Sequence, residues 1–135
     1  ARAIGGLSRG GGWALHIGLR HPDLFSRIGG HSPAVSYDDD GVLVRWVRAL
    51  PKDMPLAVYL DAGQSDSSLG STLFVDQILT TTGLDHEIHI RPGAHTEAYW
   101  TKWASEYVSF YGREWRDLDR LIDVDDPDVA FDDLR

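Results

Sequence analysis

The stretch Ile4-Gly5-Gly6-Leu7-Ser8-Arg9-Gly10-Gly11-Gly12 decides how this chain is read. Within it, Gly6-x-Ser8-x-Gly10 has the spacing of a nucleophile elbow, a sharp strand-to-helix turn that lifts a serine hydroxyl above the end of a sheet. So tight a turn brings the residues two before and two after the serine together, so a Cβ at either position is expected to clash and glycine to relieve it. The helix that follows aims unpaired N–H groups and the positive end of its dipole at the same point, where an oxyanion can be held. A phosphate loop is the competing reading of a glycine-rich turn. It requires Gly-Lys-Ser/Thr after four intervening residues, and none is present. Ala3-Ile4 reads as the end of a strand and Trp13–Leu19 as a helix, the context an elbow needs.

Working outward, 135 residues make one domain with a real core. Hydrophobic content of 42% and charged content of 25% are those of a soluble globular protein. No apolar run approaches the roughly 20 residues needed to span a bilayer. The absence of cysteine removes disulfides and thiolate metal sites and leaves the compartment open, with the cytoplasm as the default expectation. A net charge of -8 argues against a nucleic-acid partner, which requires a basic face. Much of that charge is local, since residues 116–135 hold eight Asp against three Arg. Because the chain opens at Ala1 almost inside a core strand, a fragment lacking an N-terminal region is expected.

Along the chain, Ala1–Leu7 is read as a strand and Arg9–Arg20 as a helix stopped by His21-Pro22. Phe25–Gly30 is a second short strand, and Ser32–Asp40 a loop suited to a lid or substrate contact. Val42–Leu50 is a short helix broken by Pro51. Leu56–Leu60, an unbroken apolar run before Asp61-Ala62-Gly63, is a buried parallel strand. Leu69–Thr82 is a helix ended by Gly83, and His86–Arg91 an alternating strand ended by Pro92. Ala98–Trp115 is the longest helix, and 116–135 an acidic tail set apart from a 1–115 domain. Strands alternating with helices predict an α/β fold with about four parallel strands. Ligands in such sheets bind beyond the carboxyl ends of the strands, and Ser8, Asp61–Asp66 and His95 all follow strands.

Serine needs a base to take its proton, histidine is the usual base near neutral pH, and a carboxylate fixes the imidazole tautomer. Among six histidines, His95 is best placed, in Arg91-Pro92-Gly93-Ala94-His95 after a strand and before the last helix. His86 and His89 lie within a strand, and His16 and His21 on the first helix and its end. His31 follows a strand and is a candidate for lining the pocket. Asp61 and Asp66 both compete for the acid. Asp61 ends its strand, where tying down the turn is its alternative role, whereas Asp66 lies further into the loop and within reach of a neighbouring strand's histidine. Loop geometry favours Asp66. Tyr99 and Trp100 follow His95 closely and are candidates for the pocket border, although the aromatic stripe they belong to also suits core packing. The carboxylates of Asp123–Asp128 invite a calcium reading, but the central glycine and closing glutamate of an EF-hand are missing.

Taken in order, GLSRGG, LDAGQSD, GLDHEIHIRPGAHTEAYW and WASEYVSFY resemble the putative-esterase family of α/β-hydrolases, from about Ala3 to Tyr111. That family includes esterase D-like, feruloyl and enterochelin esterases and the mycolyltransferases. The resemblance implies Ser8 as nucleophile, Asp66 as acid and His95 as base, a small-molecule ester as substrate, and no metal or organic cofactor. It also implies an oxyanion hole, with one donor from the N–H of Arg9 and a second from a loop that precedes the elbow strand. Two positions depart from the family: Arg9 stands where Met is frequent, and Ala94 where Gly is usual. The family's fold has four or more strands before the elbow. This chain is therefore expected to be the C-terminal half of an α/β-hydrolase, with the Ala1–Leu7 edge covered by the missing N-terminal half or by a second copy. The rival readings are acyl transfer to an alcohol on the same three residues, and a binding module of hydrolase fold without turnover.

Overall fold

The computed structural model describes residues 2–121, with the side chains of residues 2–113. Four strands, β1 (Ala3–Leu7), β2 (Arg27–His31), β3 (Ala57–Gly63) and β4 (His86–Arg91), form one parallel sheet in the order β1-β2-β3-β4. The helices are α1 (Arg9–Arg20), α2 (Asp40–Arg48), α3 (Leu69–Thr82) and α4 (Glu97–Leu121). The expected α/β architecture with four parallel strands is the one observed. β1 lies at one end of the sheet and pairs only with β2 among the described residues.

The pleat sorts the core. In β3, Val58 and Leu60 face α1, α2 and α3, where they join Leu15, Leu19, Ile28, Leu43, Val47, Val75 and Leu79 in a single apolar cluster. Tyr59 and Asp61 point to the opposite face, where Tyr59 packs with Tyr107 and Phe110 of α4. Leu15 and Leu60 are fully buried, and each such side chain contributes roughly 1.5–3 kcal/mol. This anchoring holds α1, and with it the turn at its start, against the sheet. Gly83 ends α3 in the left-handed conformation at φ 78°, where its N–H and that of Leu84 close the last turn.

Several boundaries differ from the sequence reading: β2 spans Arg27–His31 rather than Phe25–Gly30, so His31 ends the strand instead of following it, and α2 runs from Asp40 to Arg48 rather than from Val42 to Leu50. β3 continues through Asp61-Ala62-Gly63, because these residues pair in register with His89, Ile90 and Arg91 rather than turning. Part of the expected loop is a 3-10 turn at Tyr37–Asp39, with the Ser36 hydroxyl accepting from the Asp38 N–H, and it leads directly into α2. α4 runs on past Trp115 to Leu121. The carboxylates of Asp123–Asp128, and the rest of the acidic tail from 122, lie outside the described residues.

Candidate active site

The register of the sheet brings the carboxyl ends of β1, β3 and β4 and the loops beyond them together. At the end of β1, Ser8 adopts φ 53° and ψ -118°, a backbone conformation that L-residues avoid. Its N–H donates to the His31 carbonyl at 2.9 Å, and its own carbonyl accepts from Gly12 and Ala34 N–H at 3.1 and 3.0 Å. Three backbone bonds, to β2, to α1 and to the loop after β2, hold the strain in place. A Cβ on Gly6 would overlap the Gly10 backbone, which explains the first glycine of the motif. Gly10 differs from expectation: a Cβ there would meet open space, because the close approach is made by its backbone. Arg9 opens α1, so its N–H has no intrahelical partner and lies at the positive end of the dipole, next to the Ser8 hydroxyl.

The loops after β3 and β4 are laced together. Gln64 N–H donates to the Arg91 carbonyl at 2.7 Å and Ser65 N–H to the Gly93 carbonyl at 2.8 Å. Gly93, at φ 141°, turns the chain so that His95 faces back toward β1. His95 Nδ1 lies 2.8 Å from Asp66 Oδ1, and His95 Nε2 lies 2.9 Å from Ser8 Oγ. The carboxylate can only accept, so Nδ1 carries the proton and Nε2 is left to accept from the serine. Ser8, His95 and Asp66, chosen from loops distant in sequence, thus form one hydrogen-bonded line.

Asp66 is held from three more directions. Its Oδ2 accepts from Ser32 Oγ at 2.6 Å, its Oδ1 from Ser68 N–H at 2.7 Å, and its own N–H donates to the Gly63 carbonyl. Burial raises the Asp66 carboxyl, but the bonds from Ser32, Ser68 and His95 outweigh burial and hold it below the ordinary carboxylate value. Ser32 is completely buried, sits at φ 49°, and accepts from Trp100 Nε1 at 3.0 Å while donating to Asp66. The Trp100 ring meets His95 edge-on, with centroids 5.0 Å apart, so Trp100 borders the site. Sequence reasoning missed Ser32. The one signal for it was its position immediately after a strand, on the side where Ser8 and Asp66 gather.

His31, Tyr99 and Asp61 are elsewhere. They form a closed network under the site rather than a pocket wall. His31 Nδ1 donates to Asp61 Oδ1 at 2.8 Å, and its Nε2 lies 2.7 Å from the Tyr111 hydroxyl. Tyr107 and Tyr99 donate to Asp61 Oδ2 at 2.6 and 3.0 Å, and Arg91 stands 3.8 Å from the same oxygen. The Tyr107 ring stacks on His31 at 3.6 Å. Burial, reinforced by the Asp61 charge, pushes the phenols of Tyr107 and Tyr99 up, so both remain neutral donors. His86, on β4, bonds Asp76 of α3 at 2.6 Å and the Leu84 carbonyl at 2.8 Å, a structural tie. Among the described residues no group of three or more His, Cys, Asp or Glu is arranged to hold a metal ion, and no helix is long and apolar enough to cross a membrane.

A strained serine between a parallel strand and a helix, bonded to a histidine that follows the last strand, defines an α/β-hydrolase type of architecture. Known proteins agree. The chain belongs to the family described as "Putative esterase", whose sequence profile matches residues 1–106. Among solved structures it is similar to a ferulic acid esterase, with 27% identity, a TM-score of 0.71, and coverage of 83% of this chain and 51% of that one. It is also similar to an S-formylglutathione hydrolase from Staphylococcus aureus (19% identity, TM-score 0.70, 81% of this chain and 50% of that one). A fluorophosphonate-binding serine hydrolase of the same organism shares the fold at 15% identity and a TM-score of 0.65, over 81% of this chain and 53% of that one. The chain therefore spans about half the length of these structures. No curated protein sequence matches it.

Proposed function

We propose that the protein is a serine carboxylic-ester hydrolase working through an acyl-enzyme. Ser8 Oγ attacks the ester carbonyl carbon while its proton passes to His95 Nε2, and the carbonyl oxygen takes the negative charge beside the Arg9 N–H. Collapse of that adduct breaks the bond to the alcohol, which leaves with the proton from His95. Water then repeats the sequence against acyl-Ser8 and releases the acid. Asp66 keeps Nδ1 protonated and stabilises the imidazolium in both halves.

The observation that carries this reading is the line Ser8–His95–Asp66, at 2.9 and 2.8 Å, on a serine held in a left-handed conformation. Family membership supports it. A fluorophosphonate probe tests it: the protein should be labelled stoichiometrically at Ser8 and the Ser8→Ala protein should not. An unlabelled protein, or label retained in Ser8→Ala, would refute the reading. Added alcohol separates hydrolysis from acyl transfer by the fraction of acyl-enzyme it captures. The outer edge of β1 completes the proposal, as the place where a further strand, from the same protein or from a second copy, would pair.

A further inference from the structure

One groove beside Ser8 takes no part in the hydrogen-bonded line, and its lining is chemically specific. Arg9, Gly12, Trp13 and His16 fall at i, i+3, i+4 and i+7 from the start of α1, so they form one stripe along the helix. Opposite them stand Ala34 and Asp39 from the connection between β2 and α2, and the two sides enclose a cavity of about 260 Å³. That is room for several waters, and for a small acid in their place.

The charges in the groove differ in how they are partnered. Asp39 is the one carboxylate in the lining, and it is engaged, with His16 Nε2 3.0 Å from its Oδ2. His16 Nδ1 lies 2.8 Å from the Gly12 carbonyl, so both nitrogens of the ring are engaged within the groove wall. Arg9 has no ion pair, hydrogen bond or ring partner among the described residues, so its guanidinium is the unpaired charge of the groove lining. Trp13, four residues on, keeps 67% of its surface exposed although it is the largest apolar group on the stripe. An arginine and an exposed indole on one helix face, one and five residues from the attacking serine, suit a ligand with an apolar body and an acidic end.

We infer that the groove between α1 and the Ala34–Asp39 segment is a substrate subsite that selects esters carrying a second, ionised carboxylate, with Arg9 taking the carboxylate and Trp13 the chain or ring between it and the ester. This rests on the hydrolase reading above and specifies its substrate class. The Arg9 side chain acts here separately from its N–H, which any residue at this position would supply.

The test uses matched ester pairs that differ by one carboxylate. On the acyl side the pair is p-nitrophenyl butyrate and mono-p-nitrophenyl glutarate, and on the alcohol side phenyl acetate and 3-carboxyphenyl acetate. In at least one pair the anionic ester should be preferred in kcat/KM by about tenfold, the size of one hydrogen bond between charged groups. Arg9→Met should collapse that ratio toward one, Arg9→Lys should keep part of it, and added salt should shrink it in the unmodified protein. Trp13→Ala should raise KM for both members of the same pair without changing their ratio. Ratios near one in both pairs, from a protein that hydrolyses the neutral esters, overturn the subsite and leave the hydrolase reading standing. A ratio that survives Arg9→Met places the anion elsewhere and also overturns it. A protein that turns over neither ester and resists the fluorophosphonate refutes the hydrolase reading, and the substrate subsite falls with it.

Discussion

Two of the aspartate–histidine pairs among the described residues join through Nδ1, each at 2.8 Å, and they do opposite things. In the first, His95 on a loop keeps 28% of its side chain exposed, and its free nitrogen meets the Ser8 hydroxyl. In the second, His31 at a strand end is 3% exposed, and its other nitrogen meets the phenol of Tyr111. Asp66 takes its remaining bonds from loop groups, Ser32 and Ser68. Asp61 takes its bonds from Tyr99 and Tyr107 on α4, across the sheet's other face. An imidazole against a carboxylate is thus not itself a catalytic sign. What separates a proton shuttle from a rivet is whether the second nitrogen reaches a nucleophile that substrate can approach.

The comparison can be broken in order of effect. Ser8→Ala should leave the fold and remove turnover, by a factor on the order of 10⁶ if the three residues act as a unit. Steady-state hydrolysis of an activated aryl ester measures it, and wild-type turnover in the variant would erase the distinction between the pairs. Asp66→Asn should lower kcat about 10⁴-fold, the loss recorded for the equivalent change in the serine-protease triad, with a small change in Tm. Asp61→Asn should reverse the pattern, costing about 3 kcal/mol of stability through the unpaired His31 and Arg91 while activity falls far less. Urea unfolding alongside kinetics ranks the two aspartates, and the opposite ranking would make Asp61 the acid.

Ser32→Ala sharpens the comparison. It should lower kcat/KM about tenfold by removing one hydrogen bond to a charged group. Because the hydroxyl acts through Asp66, the same change in an Asp66→Asn background should have little further effect, whereas additive losses would assign Ser32 to packing alone. The smallest effect concerns pH. The Asp66 carboxyl is lower in the folded protein than its unfolded value of about 4, so its contribution to stability is full above that value and is lost as pH falls through the folded one. The stability difference between the unmodified protein and Asp66→Asn should therefore be constant near neutrality and shrink in acid. A difference that grows toward low pH would contradict the assignment.

The same two pairs mark what could be read from the chain. Ser8, Asp66 and His95 were legible because glycine spacing, a proline turn and chain order are local signals that survive without coordinates. Leu69–Thr82 and His86–Arg91 were legible for the same reason, being closed by Gly83 and Pro92. Asp61-Ala62-Gly63 reads as a turn because an aspartate is rarely continued into a buried strand. It continues as strand by pairing with His89, Ile90 and Arg91, and the buried Asp61 carboxylate is satisfied by His31, Tyr99 and Tyr107, partners 30, 38 and 46 residues away. His31 and Tyr99 were expected at the pocket because both adjoin site loops, but the pleat turns His31 toward α4, and parity at a strand end is not written in composition. Ser32 belongs to no pattern, and its importance arises entirely from what the fold sets against it.

The separation of Ser8 from His95 has a consequence for the order of events as the chain is made. The two residues are 87 apart, and the strands that precede them are the first and last of the sheet among the described residues. A contact across that separation carries a loop-closure cost that pairing of the intervening strands reduces. Until β4 and the Gly93 turn have docked, Ser8 is an ordinary alcohol without a base. The elbow that strains it is itself incomplete until the His31 carbonyl and Ala34 N–H arrive from β2 and beyond. The Ser8 hydroxyl thus gains its partner only when both ends of the described sheet are in place. A nascent or partly unfolded chain carries no reactive serine into the crowded setting where it is made.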